Sequence, residues 1–401
     1  MDQTPKGMRL HISFFGRRNV GKSSLINSIT GQKVSIVSDV AGTTTDPVEK
    51  TVELLPLGPV VLIDTAGIDD DGPVGELRVN KSKEVLRRTD IGIIVTDRDE
   101  PGSYERELIS GHRELGIPFI VVRNKADIGE PDLTELGKTS AKVVLCSVKE
   151  FSGLTALKEA IIANTPDDYF SAASLVGDLL KPGSLVVLVV PIDLEAPKGR
   201  LILPQVQSIR DILDNDSYCV VVKERELRDV LQKLTGKPDL VITDSQAFLR
   251  VAADIPDDVR LTSFSILFAR FKGDLTAFVE GVKAIDLLKS GDKILIAEAC
   301  SHHDVGDDIG KVKIPRWLTQ YTGCKLSFDF LHGHDFPAKE KLKEYKLVIH
   351  CGSCTFNKRN VLSRILLCKE LGVPITNYGV CISYSLGIFE RALAPFRLDT
   401  L

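Results

Sequence analysis

Gly16-Arg17-Arg18-Asn19-Val20-Gly21-Lys22-Ser23 fits the pattern G-x-x-x-x-G-K-S. Leu10 to Phe15 before it reads as an apolar strand, and Gly21 to Ile29 reads as the start of a helix. A phosphate-binding loop requires that strand–loop–helix context. Its glycines let backbone N–H groups wrap phosphate oxygens, and the helix N-terminus adds a positive dipole. Lys22 is expected to reach the β/γ-phosphates and the Ser23 hydroxyl to bind Mg²⁺, with Val20 and Ser24 completing the loop.

Three further elements follow in order, each just past a short apolar run. Asp64-Thr65-Ala66-Gly67 comes after Val60–Ile63; the carboxylate can hold Mg²⁺ through water and the Gly67 N–H can meet a γ-phosphate. Asn124-Lys125-Ala126-Asp127 comes after Phe119–Val122. The Asp127 carboxylate can accept from N1–H and N2–H₂ of guanine, a pair that adenine does not offer, so GTP is the expected nucleotide. Ser147-Val148-Lys149 comes after Val143–Leu145 and can cover the base. With Ile91–Val95, these runs alternate with helical segments, which predicts a mainly parallel, doubly wound α/β sheet.

The rest of the chain reads as two smaller α/β domains. The polar stretch Asn164 to Ser174 marks a boundary, giving expected domains at 1–168, 175–268 and 269–401. Strands are expected at Leu185–Ile192, Cys219–Val222, Leu240–Thr243 and Arg260–Ser263, then at Lys293–Ala297, Lys346–Ile349 and Val373–Asn377. Helices are expected at Gln205–Leu213 and Glu226–Leu234. The middle domain has no phosphate loop after its first strand, and Lys198-Gly199-Arg200 reads as a solvated turn.

The chain has 401 residues, a net charge of −4 and 26% charged residues. No dense Lys/Arg block with interleaved aromatics occurs, which argues against a nucleic-acid partner. The apolar run Leu185 to Ile192 is far short of a membrane span and holds Pro191, and Met1 to Leu10 contains no long apolar h-region. A cytoplasmic protein without membrane contact is therefore expected. In that compartment its eight cysteines read as metal ligands or core residues rather than disulfides.

Cys300-x-His302 and His350-Cys351-x-x-Cys354 each lie just past an expected strand. Ligands in open parallel sheets gather beyond the carboxyl ends of strands, so the two segments can meet. Three thiolates are one short of a closed four-cysteine site. A zinc ion would want a fourth closed ligand such as histidine. An iron–sulfur cluster would accept three thiolates and a weaker fourth ligand. The spacing allows both. Glu298, two residues before Cys300, is another oxygen donor to consider.

Residues 6 to 165 resemble the Era/MnmE-like class of GTPases. That resemblance locates the first switch at Gly42-Thr43-Thr44-Thr45-Asp46, with one of Thr43, Thr44 and Thr45 closing on Mg²⁺. Ile68 stands where Ras-type enzymes carry a water-positioning glutamine, so hydrolysis is expected to be slow. Asn19 matches an asparagine associated in this class with K⁺ activation. A translation-related GTPase, or a GTPase with a structural zinc, fits parts of this pattern.

The whole chain resembles the FeFe-hydrogenase maturation GTPases, whose last domain is marked C-x-H, a gap of about fifty, then H-C-x-x-C. The resemblance implies a 4Fe–4S cluster on Cys300, Cys351 and Cys354, with His302 or His350 as a candidate fourth ligand. It also implies a homodimer through the middle domain and a scaffold role. The chain would carry the di-iron subcluster precursor, receive it from radical-SAM maturases and pass it to apo-hydrogenase.

Overall fold

The computed structural model describes residues 5–30, 47–65, 81–129, 131–139, 141–166, 169, 174–191, 201–299 and 308–396. The chain divides into two compact units, Met1–Ala172 and Ala173–Leu401.

The first unit is built on a six-stranded sheet. Its strands are β1 (Leu10–Phe15), β2 (Val48–Leu54), β3 (Gly58–Asp64), β4 (Ile91–Thr96), β5 (Phe119–Arg123) and β6 (Lys142–Leu145). Their order is β2-β3-β1-β4-β5-β6, and every pairing is parallel except β2 with β3. All six residues of β1 and of β4 are buried. β4 therefore reads as a nearly continuous apolar run, as a covered parallel strand does, while β1 also buries His11 and Ser13 between Leu10, Ile12 and Phe14. Ile12, Phe14 and Ile93 are fully enclosed, and each such side chain contributes about 1.5–3 kcal/mol by leaving water. The chain leaves β1 between β3 and β4, where the strand order changes direction. That crevice is where a doubly wound sheet receives its ligand.

β2 has no counterpart among the expected strands. Its sequence, Val-Glu-Lys-Thr-Val-Glu-Leu, lies at a sheet edge and is largely exposed or half-buried. It offers no apolar run, and its antiparallel pairing falls outside the βαβ pattern.

The second unit holds two four-stranded sheets. The first contains β7 (Leu185–Val189), β8 (Tyr218–Val222), β9 (Leu240–Thr243) and β10 (Arg260–Ser263), in the order β10-β9-β7-β8. The second contains β11 (Lys293–Glu298), β12 (Ser327–His332), β13 (Leu347–His350) and β14 (Ile375–Asn377), in the order β12-β11-β13-β14. All of their pairings are parallel. One hydrophobic core runs through both sheets, from Val187 and Val241 to Ile296 and Ile349. The helix Phe264–Lys272 joins the end of the first sheet to the second. β12 was not expected either. It is an edge strand whose Phe328 and Phe330 are only half-buried, so its apolar signal is diluted by alternation.

Among the described residues, no helix is long and apolar enough to cross a membrane.

The first unit encloses two histidines in neutral form. His112 sits on the helix Ser103–Glu114 between Phe15 and Phe119, its Nδ1 2.7 Å from the Leu108 carbonyl. Gly92 faces it, and a Cβ there would overlap the ring. Burial pulls the pKa of His112 down to about 4 and, as the largest influence, that of His11 to about 4 as well. Folded and unfolded forms are both neutral at each site above pH 6.5. Below it the unfolded form takes up the proton first, so stability falls until pH about 4 and then levels. Each histidine accounts for about 3 kcal/mol across that window. We expect the melting temperature of this unit, measured on the full chain, to drop between pH 6.5 and 4, and His112→Leu to shallow that slope. An unchanged slope in the variant would show that His112 is not the group responsible.

Candidate functional sites

The turn after β1 forms the first site. Gly21 has φ +95°, and a Cβ there would overlap the Asn124 side chain. Asn124 in turn donates from Nδ2 to the Val20 carbonyl at 2.8 Å, and its N–H donates to the Thr96 carbonyl at 2.8 Å. The ends of β1, β4 and β5 are thus tied together at one point. Asn19 also lies in the left-handed region, with φ 60°. Lys22, largely buried, donates to the carbonyls of Gly16 and Arg17, both at 2.8 Å. Its ammonium is held inside the loop, where it is aimed at whatever the loop encloses.

Ser23 Oγ donates to Asp64 Oδ2 at 2.6 Å. A hydroxyl and a carboxylate this close can share one hard cation, and Mg²⁺ suits that oxygen pair. On the far side, Ser147 Oγ donates to Asp127 Oδ1 at 2.6 Å. That bond, above all, holds the Asp127 carboxyl below its ordinary pKa. Lys125 has φ 58° and donates to Asp97 at 2.7 Å. The Ala126 N–H reaches the Cys146 carbonyl at 3.0 Å, which fixes the Asn124–Asp127 turn against the Ser147 loop. Val148 packs against the same core. Gly16, Val20, Asn124 and Asp127 therefore stand on loops at one sheet edge, with Ser24 in the first turn of the helix Lys22–Thr30, as the motif order requires. Thr43, Thr44, Thr45, Gly67 and Ile68 lie outside the described residues.

The second site lies past β11 and β13. These strands are neighbours, with Ala297 opposite His350. The Cys351 N–H donates to the Ala297 carbonyl at 3.0 Å. The Ala299 N–H donates to Cys351 Sγ at 3.1 Å, and the Ser353 N–H reaches the same sulfur at 3.4 Å. Amide donors converging on one sulfur favour its thiolate form, which is the form that ligates metal. Burial has the opposite and larger effect, and pushes the free thiol of Cys351 up to about 11. Ser353, between the cysteines, has φ 54°. Among the described residues, no group of three or more His, Cys, Asp or Glu is arranged to hold a metal ion. Cys300 and His302 lie outside them. The donor set that is described, two cysteines on a loop with N–H groups at one sulfur, suits a thiolate-bound iron–sulfur group.

His350, expected as a candidate fourth ligand, is engaged otherwise. Arg364 donates to its Nε2 at 3.0 Å. A guanidinium can only donate, so Nε2 carries the lone pair and the proton sits on Nδ1. Nδ1 lies 3.0 Å from the Cys351 carbonyl and 2.9 Å from Ser353 Oγ. Burial, then Arg364, pulls the pKa of His350 down to about 3. In this arrangement neither ring nitrogen is open to a metal, and the imidazole acts as a brace for the loop.

Glu298 ends β11, almost fully buried. It accepts from the Tyr378 hydroxyl at 2.8 Å, and its other oxygen lies 3.0 Å from His332 Nδ1. His334 stacks on Phe356, with ring centroids 4.8 Å apart. Two supporting residues escaped the sequence reading. Arg364 lies on the helix Lys358–Glu370 among Val361, Ile365 and Cys368, all buried. Lys272 lies on the same helical stripe as Phe264 and Phe268, at spacings of four and eight. A cation on an apolar stripe was the available signal for both. Burial pulls Lys272 down to about 8, against the opposing pull of Cys354 and Cys351.

Residues 175–273 match the family model described as the hydrogen maturase F dimerization domain, and residues 276–395 match the hydrogen maturase F tetramerization domain. The chain belongs to the hydrogen maturase F family. The stretch expected as an iron–sulfur domain is thus the one whose model is described by tetramerization. Residues 11–125 match the model of a 50S ribosome-binding GTPase, so this hydrogen maturase F chain carries a P-loop GTPase domain at its N-terminus. The chain is 38% identical over 154 residues to the tRNA modification GTPase MnmE of Bacillus cytotoxicus, covering 37% of this chain and 33% of that protein. The MnmE of Bacillus cereus is 34% identical over 186 residues, covering 43% and 40%. The chain thus spans well under half the length of these curated relatives. The structure of Aquifex aeolicus Era aligns at 20% identity and a TM-score of 0.35, covering 55% of this chain and 97% of Era.

Replacing Gly21 by Ala should weaken nucleotide binding at least tenfold, since φ +95° disfavours any Cβ by about 1–2 kcal/mol and the Asn124 contact must also open. Titration with a fluorescent GTP analogue measures this; unchanged affinity would mean that the loop relaxes freely.

Proposed function

We propose that this chain is a GTP-hydrolysing scaffold in hydrogenase maturation, carrying an iron–sulfur cluster near its C-terminus. One observation carries the reading. A Cys-x-x-Cys loop with amide donors at one sulfur sits beside the strand that leads into Cys300, in a chain of the hydrogen maturase F family with a P-loop GTPase domain. Cys300, Cys351 and Cys354 would hold a 4Fe–4S cluster, which supplies an iron corner able to take an exchangeable ligand. The residues around it do the protein's part. Ala299 and Ser353 donate to the Cys351 sulfur, His350 braces the loop, and Glu298 stands at the end of β11 as a buried carboxylate. With His350 engaged, His302, Glu298 or an outside molecule is left for the fourth position.

In the GTPase domain, Ser23 and Asp64 would hold Mg²⁺, Lys22 would meet the β/γ-phosphates and Asp127 would select guanine. One of Thr43, Thr44 and Thr45 would close on the metal. Hydrolysis is slow, because Ile68 cannot orient water, and a K⁺ ion at Asn19 supplies the missing charge. The GTP state then regulates exchange of partners, namely radical-SAM maturases that load the di-iron precursor and the apo-hydrogenase that takes it. The chain self-associates. The exposed Tyr218 and Val221 on β8, an edge strand among the described residues, support this, because a sheet edge with apolar side chains favours pairing.

Anaerobic purification should yield brown protein with iron and sulfide. Cys351→Ala and Cys354→Ala should lose the cluster while GTP turnover persists. Colourless protein with one zinc would overturn the scaffold reading. GTP turnover in KCl should exceed that in NaCl severalfold; equal rates would remove K⁺ from the account.

A further inference from the structure

The helix Phe264–Lys272 lies in the segment matched by the dimerization model, and the Cys-x-x-Cys loop lies in the segment matched by the tetramerization model. Both ends of the helix hold the loop. At the first turn, Ser265 Oγ donates to Asn377 Oδ1 at 3.1 Å, and Asn377 Nδ2 reaches the Cys351 carbonyl at 3.4 Å. At the last residue, Lys272 Nζ donates to the carbonyls of Ser353, Cys354 and Phe356 at 3.1, 2.9 and 2.7 Å. Those bonds use all three ammonium protons.

Lys272 is only 2% exposed. Enclosing an ammonium costs several kcal/mol even after relaxation. Its hydrogen-bond acceptors here are neutral carbonyls, which satisfy its donors, and among the described residues no carboxylate forms an ion pair with it. A methionine would fill the same space without that cost. A charge kept under these conditions makes physical sense if a negative group belongs beside it, and the two cysteines of the same loop are that group's ligands in the reading above.

We propose that Lys272 is a positioning residue for the cluster. It clamps the backbone between Ser353 and Phe356 in the shape that presents both sulfurs, and it supplies a fixed positive charge beneath an anionic thiolate-bound group. The assignment rests on the cluster reading and extends it to a residue contributed by the other sheet's connecting helix.

The test compares wild type, Lys272→Gln and Lys272→Met after anaerobic reconstitution with ferrous iron and sulfide. Iron and sulfide per chain, the rate of iron loss to a chelator and the midpoint potential are measured, with Cys351→Ala as the control for non-specific iron. Glutamine keeps donors for the carbonyls and removes the charge; methionine removes both. The glutamine variant should bind the cluster, lose it about tenfold faster and have a more negative midpoint potential, because reduction adds negative charge that is no longer offset. The methionine variant should lose it faster again. A wild-type rate and potential in either folded variant would overturn the assignment. So would failure of the glutamine variant to fold, judged by its melting transition, since Lys272 would then be a general folding element. Wild-type protein no richer in iron than the Cys351→Ala control would overturn the cluster reading and this assignment with it.

Discussion

A parallel strand must deliver its carboxyl end to the same edge as its neighbours, and both sites of this chain depend on that constraint. The edge after β1, β3, β5 and β6 gathers Lys22, Asp64, Asn124 and Ser147 from segments far apart in sequence. The edge after β11 and β13 gathers Glu298 and Cys351 in the same way. The interiors of these strands are apolar because both faces are covered. The first residues beyond them are where polar side chains enter, and there loop N–H and carbonyl groups satisfy them although they are buried. Sheet order then decides which ends meet.

At both edges the backbone carries much of the construction. Asn124 ties three strand ends through a carbonyl and an N–H, and Gly21 is there because Asn124 leaves no room for a Cβ. At the second edge an amide of β11's tail touches a sulfur of β13's tail. Side chains that look like accessories, such as Ser353 and Asn377, serve the same end by holding loop carbonyls and imidazole in place.

The parallel strands and the nucleotide motifs were legible because they combine a continuous apolar run with fixed residue types immediately after it. β2 and β12 were not, since exposed charged residues such as Glu53 and Asp329 interrupt their apolar ones. The cysteine spacing could be read, but the partners of the loop could not. Lys272 binds main-chain oxygens, which every residue possesses, so nothing in the sequence marks its targets. The setting of His350 could not be read for a related reason. A histidine beside a Cys-x-x-Cys looks like a ligand until the arginine on a later helix is seen to occupy its lone pair.

That engaged imidazole bears on competition among metals. Zinc prefers four firm ligands and commonly recruits a histidine to close a set of three thiolates. Arg364 is held on its other side by the Gly333 carbonyl and stacks over Phe336 and Phe356, so the lone pair of His350 is withheld by a group that is itself anchored. A loop that shields its nearest nitrogen leaves soft sulfur as its main offer to a metal.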